Sequence, residues 1–507
     1  MTEREWREAV DLKPATFWLV TVLVVAAVLR FWRLGAGIPH ALGVDEHVIV
    51  ERVLAIMRTG DFNPHFFDYP GLAYYLHLPV ACLRFVVGAL RGEWGSLADA
   101  PSEAFYLWGR TVTATLGTAT VFLVHQIAMR WGARHALLAT ALFAVMPMHV
   151  RESHFLLTDV PATFFVTLTF LLSLRAHEMT SARAFAWAGV AAGFATATKY
   201  PAGIALLLPL VAAWMTLFAR PSRLACVVAT IGGFAGAYLL AAPYTVLDLP
   251  GFLNGFAYLV SHYRDRDPSL GSGWLFYLGY LRFKFGWPAA LLAGCGFGLG
   301  VVRAIRGPGR VRWTLLVVFP LVFLWSIAGR QLIYPRYSLP MVPFLCVLAA
   351  IAVVSGVSLL RRFSIPRTPR TILIVALTVA ALLPPAIASI QYLRDLGRPT
   401  TSEQAYAWLL THAPTQARVV VERYGVMPPT SKFRVDHVPN ATRLDLDALR
   451  ADKDVYLVLN SVALDAPQAH PRAYQAYRAL LEAYPELTRF APGGRTVGPT
   501  LVILKVQ

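Results

Sequence analysis

The chain has 507 residues, 56% of them apolar and 15% charged, against roughly 45–50% apolar and about 25% charged in an ordinary soluble domain. That balance excludes a typical soluble enzyme and a disordered chain, and four cysteines are too few for a disulfide-stapled secreted fold. The formal net charge of +17 does not mark a nucleic-acid partner: residues 392–507 carry 14 Lys/Arg and 11 Asp/Glu, and the remaining excess lies between apolar runs, where basic residues report membrane topology.

The N-terminus places charged residues before an apolar run, Thr16 to Leu29, but Arg30 and Arg33 follow without a small-residue cleavage site, so it reads as a retained signal anchor. A membrane-crossing helix needs about 20 mostly apolar residues. Runs near 16–34, 106–129, 134–150, 159–176, 183–199, 201–219, 224–243, 274–302, 313–329, 338–360 and 371–391 give about eleven transmembrane helices. A further stretch, 72–90, is settled by charge. Arg130 with Arg134, Arg175 with Arg183, Arg220 with Arg223, and the clusters Arg303–Arg312 and Arg361–Arg370 all fall on the N-terminal side when eleven spans cross. If 72–90 also crossed, all five would move outside, against the positive-inside tendency. The segment, with His77, Pro79 and Arg84, therefore reads as lying along or dipping into the outer leaflet. Cys82, Cys226, Cys295 and Cys346 all sit in apolar stretches as small buried hydrophobes.

The expected fold is thus mainly α: a polytopic membrane domain, 1–391, with a long outer loop at 35–103, followed by a small extracytoplasmic α/β domain, 392–507. In the latter the pattern predicts helices at Ser402–Thr411 and Arg472–Tyr484 and strands at Ala417–Glu422, Val455–Asn460 and Leu501–Val506. It carries no nucleophile elbow, phosphate loop or metal-ligand spacing.

The basic connections are short and chemically bland, whereas the outer connections hold carboxylates, histidines and a few cations. These are Val44-Asp45-Glu46-His47; His149 to His154 running into Thr158-Asp159-Val160-Pro161; Thr198-Lys199-Tyr200-Pro201; Pro243 to Asp248; His262-Tyr263-Arg264; and Arg330 to Tyr337. Such convergence suggests an active site at the outer interface. Each feature also has a structural explanation. Asp45-Glu46 and Asp159 suit helix N-termini, Lys199 and Arg336 suit snorkelling anchors, and His154 and His262 suit interfacial packing, two histidines without fixed spacing being weak evidence for a metal.

These loops resemble the GT-C membrane glycosyltransferases, specifically family 39, the protein O-mannosyltransferase and aminoarabinose-transferase-like group. Asp45-Glu46 matches the family's acidic pair before an amphipathic helix. Tyr69-Pro70-Gly71-Leu72 is similar to its Pro-Pro-Leu segment with the second proline replaced, and Arg110 to Gly117 resembles its Arg-x-x-x-Ala-x-x-Gly span start. His149–Pro161 resembles the segment ending Thr-Asp-x-Pro, Thr198-Lys199 the Thr-Lys turn, Pro243–Asp248 and His262-Tyr263 a loop of bacterial members, and Arg336-Tyr337 the entry to a late span. The matches run in order across residues 45–345.

The resemblance implies a polyprenyl-phosphate monosaccharide donor and inverting transfer to a hydroxyl of a protein, a lipid A-like lipid or a surface polysaccharide, outside a bacterial plasma membrane. Asp45 is then the base that takes the acceptor proton, with Glu46 orienting it or binding acceptor. Arg336, Lys199 and Tyr337 hold the donor phosphate, and Tyr69, Arg110, His154, Asp159, His262 and Tyr263 contact substrate. A covalent glycosyl-enzyme needs two carboxylates flanking one sugar, which the adjacent Asp45 and Glu46 suit poorly. A divalent ion could draw on Asp45, Glu46, Asp159 and His262, but the family does not require one uniformly and no metal or other cofactor is assigned. The rival readings are an oligosaccharide transferase or polysaccharide ligase using a pyrophosphate lipid, and a lipid-sugar transporter, which would expect ionisable residues at mid-membrane.

Overall fold

The structure, a computed structural model, describes residues 3–506 apart from 41–42, 44, 217–222, 265–270, 363–366, 423–424, 439–440, 442–443, 445–448, 450–451, 461–463 and 465–470. Val44, Arg220 and the middle of the Arg361–Arg370 connection therefore lie outside the described residues. Contacts divide the chain into two units, Met1–Leu34 with Val48–Tyr392, and Gly35–His47 with Leu393–Gln507.

The first unit is all helical. In order come α1 (Glu3–Phe31), α2 (Glu46–Thr59, whose first two residues group with the second unit), α3 (Leu72–Tyr75), α4 (Leu78–Leu90), α5 (Glu103–Ala128), α6 (Ala133–Ala144), α7 (Pro147–Glu152), α8 (Asp159–Met179) and α9 (Ala182–Thr198). A 3-10 turn, Tyr200–Leu206, leads to α10 (Leu207–Thr216), then α11 (Arg223–Ala241), α12 (Tyr244–Leu247), α13 (Leu249–His262), α14 (Gly273–Phe285), α15 (Trp287–Arg306) and α16 (Arg310–Ala328). A second 3-10 turn, Pro335–Met341, enters α17 (Val342–Arg362), and α18 (Arg367–Asp395) follows.

Among the described residues eight helical segments are long and apolar enough to cross a membrane, and Thr16–Phe31, Ala133–Ala144 and Tyr200–Thr216 are shorter apolar helices. The chain is a multi-pass membrane protein. Leu72–Leu90, kept out of the bilayer by the charge argument, meets the length and apolarity criterion as well. Three expected spans are broken. The run 134–150 stops at Ala144 because Pro147 cannot continue the ladder and opens α7 instead. The run 274–302 divides at Gly286, whose φ of +74° only glycine adopts without strain. The run 201–219 begins as a 3-10 turn.

Helices pack through a continuous apolar core that includes Phe143, Phe170, Phe319 and Phe344. Where α15 meets α17 the approach is backbone to backbone: a Cβ on Gly296 would lie 2.0 Å from the carbonyl oxygen of Leu348, the close approach that small residues permit. The break after α6 is held by Arg30, fully buried on α1. Its guanidinium donates to the carbonyls of Ala26 (3.0 Å) and Ala144 (3.1 Å) and to His149 Nδ1 (3.1 Å). A cation is thereby set against the C-terminal carbonyls of α6.

In the second unit α19 (Thr401–His412) opens with a capping box between Thr400 and Glu403. The sheet runs β2 (Arg434–Val438), β1 (Arg418–Glu422), β3 (Val455–Asn460), β5 (Leu501–Lys505), β4 (Glu486–Phe490), parallel across β2-β1-β3 and antiparallel across β3-β5-β4. Alternate residues face opposite sides. Val419, Val421 and Ile503 pack on Ala405 and Leu409 of α19, while Val420, Leu457 and Leu504 pack on Tyr477 and Leu480 of α20 (Pro471–Ala483). Glu422 is buried at the end of β1 and accepts hydrogen bonds from Ala441 N–H (2.7 Å), Asn460 N–H (2.6 Å) and the Tyr477 hydroxyl (2.5 Å). Burial pushes its carboxyl up from the ordinary glutamate value, against those three donors.

Candidate active site

The charged groups of the membrane unit converge at the entry to α8. Asp159 is its first residue, with Pro161 in the first turn, so its carboxylate sits at the positive end of the helix. Lys199, where the α9 ladder ends in extended backbone, donates from Nζ to Asp159 Oδ1 at 2.5 Å. Arg336, in the 3-10 turn before α17, brings Nε to 3.7 Å from Asp159 Oδ2. The side chains are 4% (Asp159), 16% (Lys199) and 13% (Arg336) exposed, so one carboxylate and two cations are held together largely out of water.

Aromatic rings complete the cluster. The Lys199 ammonium lies 4.4 Å from the ring centre of Tyr337, and the Arg336 guanidinium 5.4 Å from that of Tyr334. The hydroxyls of Tyr337 and Tyr263 are hydrogen-bonded at 2.8 Å.

This cluster heads a cavity of about 300 Å³. Its ionisable rim is Asp68, Asp159, Lys199, Arg330 and Arg336, one positive charge in excess, while its walls are apolar side chains such as Phe256 and Leu259 of α13 and Phe323 and Ile327 of α16. Such a vessel suits an amphiphile with one negative charge and a hydrocarbon tail.

Glu152 lies close enough to Asp159 and Arg336 to feel both charges, and it pairs with Arg151. Burial raises its carboxyl above the ordinary value, the Arg151 charge opposing.

Of the residues singled out from sequence, Tyr69, Asp159, Lys199, Tyr263, Arg336 and Tyr337 line this one cavity. Arg110, His154 and His262 do not. Arg110 is buried and donates to the carbonyl of Leu34 at 2.9 Å. His154 is buried with Nδ1 2.8 Å from Val150 O and Nε2 3.1 Å from Trp32 O, a joint between α1 and the α7–α8 connection. His262 ends α13 and stacks on Tyr258. Asp45 is half-buried immediately before α2, and Glu46 is fully buried with its carboxylate 2.5 Å from the N–H of Gly43, both in the second unit.

Sequence reading gave no role to Asp68 or to Arg330, which opens one of the outer connections singled out, and the cavity includes both. The signal for Asp68 was its place directly before Tyr69-Pro70, inside a segment already singled out. Among the described residues no group of three or more His, Cys, Asp or Glu side chains could hold a metal ion.

The chain's fold has counterparts among solved structures. Residues 89–262, about a third of the chain, match the family model described as dolichyl-phosphate-mannose-protein mannosyltransferase, in line with the resemblance drawn from the loop motifs. The fold is similar to ArnT from Cupriavidus metallidurans in the apo state, at 17% identity, with 97% of this chain and 98% of that one covered and a TM-score of 0.61. ArnT from the same organism bound to undecaprenyl phosphate gives 15% identity, the same coverages and a TM-score of 0.58. The oligosaccharyltransferase of Archaeoglobus fulgidus in the apo form gives 13% identity, 92% and 73% coverage and a TM-score of 0.58. No curated relative matches the sequence.

Proposed function

We propose that this protein is an inverting glycosyltransferase of a bacterial plasma membrane, moving a monosaccharide from a polyprenyl-phosphate donor to an acceptor hydroxyl on the outer face. The observation that carries the reading is the Lys199–Asp159–Arg336 cluster at the head of an apolar-walled cavity. A phosphodiester brings one negative charge, which matches the single positive excess of the rim. As the bond from the sugar to the phosphate oxygen breaks, negative charge grows on the leaving polyprenyl phosphate, and preorganised cations in a poorly hydrated site favour that change most. Asp159 keeps Lys199 and Arg336 from repelling one another before the donor arrives.

Transfer with inversion needs a base on the acceptor side, and Asp45 is assigned that part, with Glu46 beside it. Tyr69 and Tyr263 are assigned to the donor near its sugar–phosphate bond. The positive-inside pattern supports a cytoplasmic N-terminus and an extracytoplasmic C-terminal domain.

The deciding experiment offers purified protein two labelled donors, a polyprenyl-phosphate monosaccharide and a polyprenyl-pyrophosphate oligosaccharide, and follows release of the free lipid. Consumption of the first, lost in Arg336→Ala, supports the proposal. Consumption of the pyrophosphate lipid alone would replace it with an oligosaccharide-transferase activity.

A further inference from the structure

A second cavity, of about 470 Å³, opens on another face of α16 from the first and shares no lining residue with it. Its size lies within the roughly 300–1,000 Å³ of small-molecule sites. Three features of the sequence make it. Gly286 lets the chain turn between α14 and α15, so that Leu278 and Leu281 of α14 form one wall. Pro320 interrupts the ladder of α16 at a second wall. On α15, Gly294 leaves the floor open, for a Cβ built there meets nothing within 4 Å.

Among the described residues the lining is aliphatic and aromatic with a single charged side chain, Arg282, whose guanidinium rests 4.5 Å from the ring centre of Trp287. Among the described residues no acidic side chain lines the cavity. A guanidinium facing hydrocarbon is costly unless an anion meets it, and Arg presents a planar fork suited to phosphate oxygens. The geometry points to a binding site for an anionic phospholipid, one acyl chain lying in the groove between α14, α15 and α16 and the phosphodiester on Arg282 beside Trp287. A sugar donor is a poorer occupant, because among the described residues the lining has no carboxylate, amide or hydroxyl to hold a sugar.

The test uses the full chain in detergent, incubated with phosphatidylglycerol or phosphatidylcholine, washed, and weighed by native mass spectrometry. Wild type is expected to retain phosphatidylglycerol in preference to phosphatidylcholine. Arg282→Gln should lower phosphatidylglycerol retention by about tenfold, the scale of one charge-assisted hydrogen bond, and phosphatidylcholine, whose phosphodiester is already countered by its own ammonium, by less. Gly294→Leu, whose side chain grows into the open floor, should displace both lipids. Unchanged retention in both variants overturns the proposal. So does retention that survives Arg282→Gln but is lost in Arg336→Gln, which would assign the lipid to the first cavity. Co-purification of polyprenyl phosphate in place of phospholipid, released by Arg282→Gln, would equally overturn it.

Discussion

Replacing Lys199 with Met separates two roles that the cluster combines. The substitution keeps an unbranched apolar side chain against Tyr337 and removes the charge. Two costs follow. The buried Asp159 carboxylate loses its 2.5 Å partner and, among the described residues, keeps Arg336 at 3.7 Å. Breaking a buried pair costs about 3–5 kcal/mol when no other partner remains, so with Arg336 in place the loss of stability should fall at or below about 3 kcal/mol. Donor binding loses one charge-assisted contact to phosphate, about 1.5–3 kcal/mol, or roughly 10- to 150-fold in kcat/KM for the donor. The assay measures transfer from a polyprenyl-phosphate sugar over a range of donor concentrations, alongside the unfolding temperature in the same detergent. Lys199→Met combined with Asp159→Asn removes the orphaned charge and should recover stability without recovering donor use. If the double variant regains both, or if Lys199→Met alone leaves kcat/KM within about twofold, Lys199 is a structural counter-ion and the phosphate assignment fails.

Asp45→Asn should lower transfer by about 10²-fold or more, the scale of general-base loss, with donor binding intact; a near-normal turnover in the purified variant would send the search for the base to Glu152. Gly296→Ala, which forces a methyl group onto the Leu348 carbonyl, should destabilise the α15–α17 contact by about 1–3 kcal/mol, read as a lower unfolding temperature, whereas Gly298→Ala, with nothing within 4 Å of its Cβ, should be neutral. The folded carboxyl of Glu422 lies above its unfolded value, so its favourable contribution is complete below the ordinary glutamate range and is lost as pH rises through the raised value. Amide protection of β1 and β3, corrected for intrinsic exchange, should therefore increase as pH falls from neutrality through that value toward the ordinary glutamate range, and Glu422→Gln should remove this dependence.

Hydropathy disclosed the helical membrane unit because burial in lipid or core demands long apolar runs, and it disclosed β1, β3 and β5 because central strands are apolar on both faces. The edge strands β2 and β4 passed unnoticed. Arg434-Val-Asp-His-Val438 and Glu486-Leu-Thr-Arg-Phe490 are largely polar, since one flank of each is unpaired. Asp159, Lys199 and Arg336 could each be picked out at the end of a span, yet nothing local says that residues 159, 199 and 336 meet. That meeting depends on how α8, α9 and α17 pack. Arg110 stood out through its place in a family-like motif and His154 through its place in a polar outer connection, and their carbonyl partners at Leu34 and Trp32 are equally remote in sequence.

The short reach of α6 bears on how a lipid substrate is handled. Twelve residues give about 18 Å of helix, well under the roughly 30 Å of a bilayer's hydrocarbon layer, and Arg30 satisfies carbonyls that the break would leave bare in an apolar setting. If α6 begins at the inner surface, as the proposed topology has it, the connection that carries Glu152 and leads to Asp159 starts below the outer membrane surface. With the proposed polyprenyl-phosphate donor, a recessed reaction face would spare the lipid from lifting its first isoprene units into water. At about 0.8 kcal/mol per carbon exposed, each five-carbon unit left in the lipid saves about 4 kcal/mol, so the depth of the site sets how much of the tail must be uprooted at every turnover.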